Sequence, residues 1–338
     1  MQDDLLADSI EQLLAGVATP QAIRAIEAGG SPTALWNAIE ESGFCDALVA
    51  EDQGGAGLGL DDVFAIIEAC GRHALPLPLA QTMVARALLS RAGHSAPPGS
   101  IALATTSGTS TDAVLVSYGA VADQVLLADG SRLTLLDATA AVREPLDEGS
   151  IDAWLRWPAD ALAKPAFRID SSVDLRSVEA CLLAGQMSGA MRQVLRATLQ
   201  YANERTQFGR SIGKFQAIQH QLSVMAEHTE AGRMAARMAC ATGDVVASPL
   251  LSAVAKARTS EAAALVASIA HAVHGAIGIT EEYDLQLRTR RLHAWRAAAG
   301  AESYWNMRVG RALLASGHAT VPEFVRHELS ATPVAAGT

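Results

Sequence analysis

The sequence predicts a mostly α protein with one small β domain, and three observations carry that expectation. Aromatic residues fill only 4% of the 338 positions while alanine and leucine are abundant, a balance that favours helices over a β-rich fold. Apolar residues recur at helical spacing from residue 4 to about 95 and again from Val173 onward. Short β-prone runs are confined to the stretch between, behind the breaker Pro97-Pro98-Gly99. Half the residues are apolar, enough for the cores of two or three domains. The expected organisation is an N-terminal helical domain over 1–96, a small β domain over 97–171, a C-terminal four-helix bundle over 172–330 and a disordered tail over 331–338.

In the first domain Leu5, Leu6, Ile10, Leu13 and Leu14 form one stripe, and Val63, Ile66, Ile67 and Cys70 form another that stops at Gly71. The stretch Glu51 to Gly59 looks like a nucleotide loop but has Leu60 where a third glycine is needed, so it reads as an interhelical turn. Strands are expected at 101–105, 113–118, 124–127 and 132–136, with Asp129-Gly130 as a hairpin signal. Helices are expected at roughly 173–204, 213–241, 250–276 and 299–315. In the second of these Phe215, Ile218, Leu222 and Met225 share a face. The long apolar stretch Ala262 to Ile279 is alanine-rich and holds His271 and His274, which suits a buried helix better than a membrane span.

A net charge of −10 argues against a nucleic-acid partner. Cys45, Cys70, Cys181 and Cys240 form no Cys-x-x-Cys pair, so no zinc site or disulfide framework is signalled. His271 and His274 lack a nearby carboxylate and read as packed helix residues rather than metal ligands. The acidic start Met1-Gln2-Asp3-Asp4 is unlike a secretory signal, and a cytoplasmic location is expected.

Chemistry concentrates between the first two bundle helices, in Asn203-Glu204-Arg205-Thr206-Gln207-Phe208-Gly209-Arg210-Ser211-Ile212-Gly213-Lys214-Phe215-Gln216-Ala217-Ile218-Gln219-His220. An arginine at a helix end can fork onto a phosphate, and the donors of the next helix's first turn add to that anion site. The stretch resembles the Glu-Arg-x-x-Phe-Gly-x-x-Ile-x-x-Phe-Gln-x-x-Gln motif of the acyl-CoA dehydrogenases. Ala272-Val273-His274-Gly275-Ala276-Ile277-Gly278-Ile279-Thr280-Glu281-Glu282-Tyr283 resembles that family's Gln-x-x-Gly-Gly-x-Gly-(Phe/Tyr)-Thr-Glu-Glu-Tyr, with Ala272 and Ala276 replacing a glutamine and a glycine. The resemblance implies the same order of domains and an FAD cofactor. It places Arg205 on the pyrophosphate of FAD held by a neighbouring subunit, Gln216 against the dinucleotide, and Phe208, His274 and Gly275 in the same contact region.

Desaturating an acyl thioester needs a base for the α proton and a flavin for the β hydride. In most of the family the base is a glutamate sixteen residues past the tyrosine of Thr-Glu-Glu-Tyr; here that count reaches Ala299. A branch of the family places it in Leu-Glu-Arg-x-x-x-Ala-Gly on the first bundle helix. Val178-Glu179-Ala180-Cys181-Leu182-Leu183-Ala184-Gly185 matches with Glu179, although Ala180 replaces the arginine. Glu302 is a weaker candidate, and an ordinary first-turn glutamate is the alternative for Glu179. The family's Thr-Glu-Pro-x-x-Gly-Ser-Asp flavin segment is represented only by Thr105 to Asp112, where hydroxyls could bond the flavin edge or form an ordinary turn. Arg288, Arg290, Arg291 and Arg296 form a basic cluster that could meet CoA phosphates, a partner subunit or solvent.

The chain thus most resembles short acyl-CoA dehydrogenases, including those in which a catalytic and a degenerate subunit assemble, as in some steroid side-chain degradation systems. The resemblance implies an acyl-CoA substrate, an electron-transfer-flavoprotein-like acceptor, and a homodimer or tetramer. Two alternatives stay open: a non-catalytic subunit that completes a partner's FAD site, and a flavoprotein of this fold whose chemistry needs no base.

Overall fold

The computed structural model describes residues 2–106, 113–163 and 165–329. The tail expected to be disordered and most of the Thr105 to Asp112 segment lie outside the described residues. The first five helices are α1 (Gln2–Val17), α2 (Pro20–Glu27), α3 (Thr33–Glu41), α4 (Phe64–Arg72) and α5 (Leu79–Arg91). On α1 the buried stripe is narrower than the leucine pattern suggests. Ile10 and Leu14 are buried and Leu6 and Leu13 flank them, but Leu5 is exposed because it precedes the first contact with the core.

The β region holds β1 (Ile101–Thr106), β2 (Val114–Val116), β3 (Gln124–Asp129), β4 (Arg132–Asp137), β5 (Val142–Pro145), β6 (Ala153–Arg156), α6 (Ala159–Ala163) and β7 (Phe167–Asp170). They form two sheets, β1-β3-β4-β7 and β2-β6-β5, with only the β1–β3 pair parallel. The expected hairpin is present: Asp129 pairs with Arg132 and Gly130 takes φ 59°, which glycine adopts freely.

The C-terminal helices are α7 (Leu175–Glu204), α8 (Gln216–Cys240), α9 (Pro249–His274), α10 (Leu285–Ala297), α11 (Glu302–Ala315) and α12 (Val321–Glu328). Asp174 caps α7, its carboxylate accepting from Ser177 N. A hairpin of β8 (Thr206–Gln207) and β9 (Arg210–Ser211) joins α7 to α8. The segment around α9 is long and apolar enough to cross a membrane, with a mean hydropathy of 1.7. It packs instead against α7, α8, α10 and α11, burying Ala262, Val266, Ala270 and Val273, as a core helix should. Two cysteines distant in sequence meet there, Cys181 Sγ lying 3.5 Å from Cys240 Sγ as free thiols.

Gly71 does not end α4, which runs on to Arg72. A Cβ on Gly71 would stand 1.7 Å from Gln186 O of α7, and one on Gly189 of α7 would stand 1.9 Å from Glu68 O of α4. The two helices therefore touch backbone to backbone. That contact fixes the N-terminal domain against the first half of α7, the half that carries Glu179.

Candidate functional site

Glu179 sits just past the first turn of α7 and is buried. It accepts a hydrogen bond from Ser117 Oγ, at the end of β2, over 3.1 Å. Burial pushes its carboxyl up to about 7, against the Ser117 hydrogen bond and the positive charges of Lys256 and Arg176; the buried Asp152 adds to the rise. It lines a cavity of about 300 Å³ whose walls also include Thr105, Ser117, Asp152, Arg176 and the turn Ala297 to Gly300. Ala299 is therefore in the same cavity as Glu179, so the two base positions suggested by the sequence face one space. Ala299 adopts φ 54° and Gly300 φ 105°, a tight turn that closes this wall. Asp152 accepts from Tyr118 N at 2.8 Å, and burial raises its carboxyl above the usual range. Thr105 Oγ1 is buried with no hydrogen-bond partner among the described residues.

A second concavity, of about 770 Å³, lies at the other end of α7. Arg205 caps α7, donating its N–H to Tyr201 O at 2.8 Å, and its side chain is exposed. Arg205, Phe208, His274 and Gly275, drawn from two motifs some seventy residues apart, all line this groove. Gln216 opens α8 beside it, exposed but outside the lining. His274 stacks on Tyr201 at 4.4 Å, and burial lowers its basicity. With Nδ1 donating to Ala270 O at 2.8 Å, Nε2 remains a buried acceptor with no partner. Gly275 takes φ 65° and ψ −144°, a region open in practice only to glycine. Ala272 and Ala276 line the groove without closing it. Phe208 projects from the β8–β9 tip, 91% exposed.

The profile for the acyl-CoA dehydrogenase C-terminal domain matches residues 176–314, and that for the N-terminal domain matches residues 2–96. The chain belongs to the acyl-CoA dehydrogenase family. It is 32% identical over 297 residues to acyl-CoA dehydrogenase IpdE2 of Mycolicibacterium smegmatis, covering 86% of this chain and 92% of that one. Among solved structures, a Tcur3481-Tcur3483 steroid ACAD variant superposes with a TM-score of 0.77 at 26% identity, covering 94% of this chain and 99% of that one. The ChsE4-ChsE5 complex from Mycobacterium tuberculosis gives 0.75 at 19% identity, covering 93% and 98%, a likeness of fold.

Within this acyl-CoA dehydrogenase frame two expectations need correction. Glu302 does not line the cavity: it pairs with Arg296, Nε to Oε2 at 2.9 Å, and that bond holds its carboxyl below the usual range. The arginine cluster is largely used within the chain, although Arg290 stays half exposed. Arg290 and Arg291 both pair with Glu27, and Arg288 Nε donates to Arg72 O at 2.9 Å, tying α10 to the first domain. His271, as expected, is packed, with Nε2 3.0 Å from Thr289 Oγ1. Sequence reasoning missed Ser117, Asp152 and Lys256. For Lys256 a signal existed, a lysine flanked by Ala255 and Ala257 in an apolar helix; for the other two there was none.

Proposed function

We propose that this chain is an FAD-dependent acyl-CoA dehydrogenase in which Glu179 removes the α proton of an acyl-CoA thioester. The observation that carries the proposal is the placement of Glu179, buried, held by Ser117 and facing the same cavity as Ala299. When bound, FAD supplies the acceptor for the β hydride, and an electron-transfer-flavoprotein-like protein is the expected onward acceptor. Glu179 suits the base's task because burial brings its affinity for a proton close to neutral pH, where it can both take and release one. Ser117 orients the carboxylate, and the alanine wall keeps water from competing for it.

The residues present fit the dinucleotide. Arg205 makes no ion pair among the described residues and is free to meet a phosphate. The unpartnered Nε2 of His274, the unpartnered hydroxyl of Thr105 and the bare backbone at Gly275 are what a bound cofactor would answer. Gln216 adds an amide at the groove's edge.

The distance between groove and cavity favours an oligomer in which each chain completes another's site. The same geometry suits a second reading, a subunit that completes the flavin site of a different dehydrogenase chain. Purification without added cofactor, with a visible spectrum and a native mass, separates the two. A yellow oligomer with about one flavin per chain supports the autonomous enzyme; a colourless oligomer that gains flavin only with a second chain rejects it.

A further inference from the structure

Lys256 lies two turns into α9 and is fully buried, a position lysine occupies only when its charge is answered. Its Nζ donates to Ser260 Oγ at 3.1 Å, Arg296 O at 2.9 Å and Gly300 O at 3.0 Å. The two carbonyls can only accept, so Nζ donates to both; at Ser260 the ammonium donates its third N–H, whereas a neutral amine would accept from the hydroxyl, and the protonated form is the one in which all three oxygens answer a charge. Two of those acceptors bracket the turn after α10, Arg296 O at the end of the helix and Gly300 O in the turn itself. Arg296 O is among the last carbonyls of that helix, where a cation is favoured. Gly300 O also accepts from Trp305 Nε1 at 3.0 Å, so the turn is gripped twice.

The turn so held is the wall of the Glu179 cavity. All three N–H groups of Lys256 are used on it or on Ser260, so its charge reaches Glu179 at longer range than a hydrogen bond. From the elements packed around it, Glu179 meets Ser117 after β2, Asp152 before β6, Arg176 on its own helix and Lys256 on α9. Lys256 in turn meets Glu302 and Arg296. Asp152 opposes ionisation of Glu179, whereas Arg176 and Lys256 favour it. Arg176 is partly exposed, so water weakens its influence; Lys256 is dry.

We infer that Lys256 is a positioning residue of this site: its ammonium fixes the Arg296 to Gly300 turn as the cavity wall and supplies the unscreened positive charge that keeps Glu179 a carboxylate. The inference rests on the proposal that Glu179 is the base. It is supported by the opposed effects of burial, which pulls Lys256 down to about 7 as it pushes Glu179 up to about 7, so that each group's charge depends on the other's.

The test uses the full-length, flavin-loaded protein labelled with carboxyl-13C glutamate, the Glu179 resonance being assigned by its loss in Glu179→Gln. Its titration midpoint is compared in wild type, Lys256→Met and Lys256→Gln. Methionine removes charge and donors together; glutamine keeps N–H donors for the turn, so a folding defect in the first variant leaves the second to decide. The midpoint is expected to rise by about one unit or more in both, with the acid limb of kcat/KM moving with it, a loss of about tenfold at pH 6. An unmoved midpoint in Lys256→Gln overturns the charge role and leaves a structural lysine. A moved midpoint together with full turnover by Glu179→Gln overturns the base proposal and with it the positioning role, while identifying which of the two has failed.

Discussion

Glu179 and Arg205 lie toward opposite ends of one uninterrupted helix, and twenty-six residues at the α-helical rise put about 39 Å between them. An extended FAD does not span that distance. On the proposed reading the Arg205 groove of one chain cannot serve the Glu179 cavity of the same chain, and a working site would take one from each of two chains. Mixing tests this directly. With flavin held limiting so that each variant alone has little activity, Glu179→Gln and Arg205→Ala proteins should regain about a quarter of wild-type activity when dissociated together and reassembled, because half the dimers are mixed and each carries one intact site. No recovery on reassembly would mean that one chain supplies both residues to its own site.

Arg205→Ala should also lose cofactor. A charged hydrogen-bonding partner of phosphate contributes about 1.5–3 kcal/mol, so FAD affinity should fall roughly tenfold or more by fluorescence titration. Phe208→Ala should weaken retention and assembly together.

Glu179→Gln should lower kcat by about two to four orders of magnitude, the range for a general base, with flavin content unchanged. Glu302→Gln should stay within a few-fold of wild type, since its carboxylate is committed to Arg296. The reverse pattern would move the base to α11.

The pH profile follows from the raised carboxyl. The base acts when ionised, so kcat/KM should climb as pH rises through about 7 and flatten above it, reporting Glu179 in the free enzyme. A profile level across the interval from about pH 5 to 8 would contradict the assignment.

Stability should depend sharply on the α4–α7 contact. Gly189→Ala sets a Cβ 1.9 Å from Glu68 O, a backbone atom that cannot swing aside, and should destabilise by about 3 kcal/mol in urea. Gly16→Ala on α1 meets nothing within 4 Å and should stabilise by about 0.5–1 kcal/mol. Equal effects at the two positions would mean the helices do not touch as described.

Long helices were legible because a period of 3.6 is hard to produce by chance over twenty residues, and α7, α8 and α9 end within three residues of expectation. Helix α10 was not. Its buried face includes Thr289 and Arg291 as well as Leu287 and Leu292, so no apolar stripe advertises it. Strands β5 and β7 were invisible for a related reason: they are four-residue edge strands, exposed or half-buried, one of them carrying proline. Around the cavity, Glu179 was singled out because its neighbours in sequence form a motif. Ser117 and Asp152 reach it through the packing of the β region on α7, and the hydrogen bond from Ser117 spans 62 positions that no periodicity relates.

The β8–β9 tip, Phe208-Gly209, has positive φ at both positions, 51° and 78°, the geometry of a type I′ turn in which asparagine or glycine usually takes the first place. A phenylalanine there imposes a torsional penalty of about 1–2 kcal/mol and leaves a ring in water. An isolated subunit is thus locally frustrated at one loop; on the proposed reading, burial of the ring against another chain and its cofactor would remove the exposure and offset the torsional penalty. Assembly and flavin retention then become one linked equilibrium: dilution should release flavin, and added flavin should resist dilution.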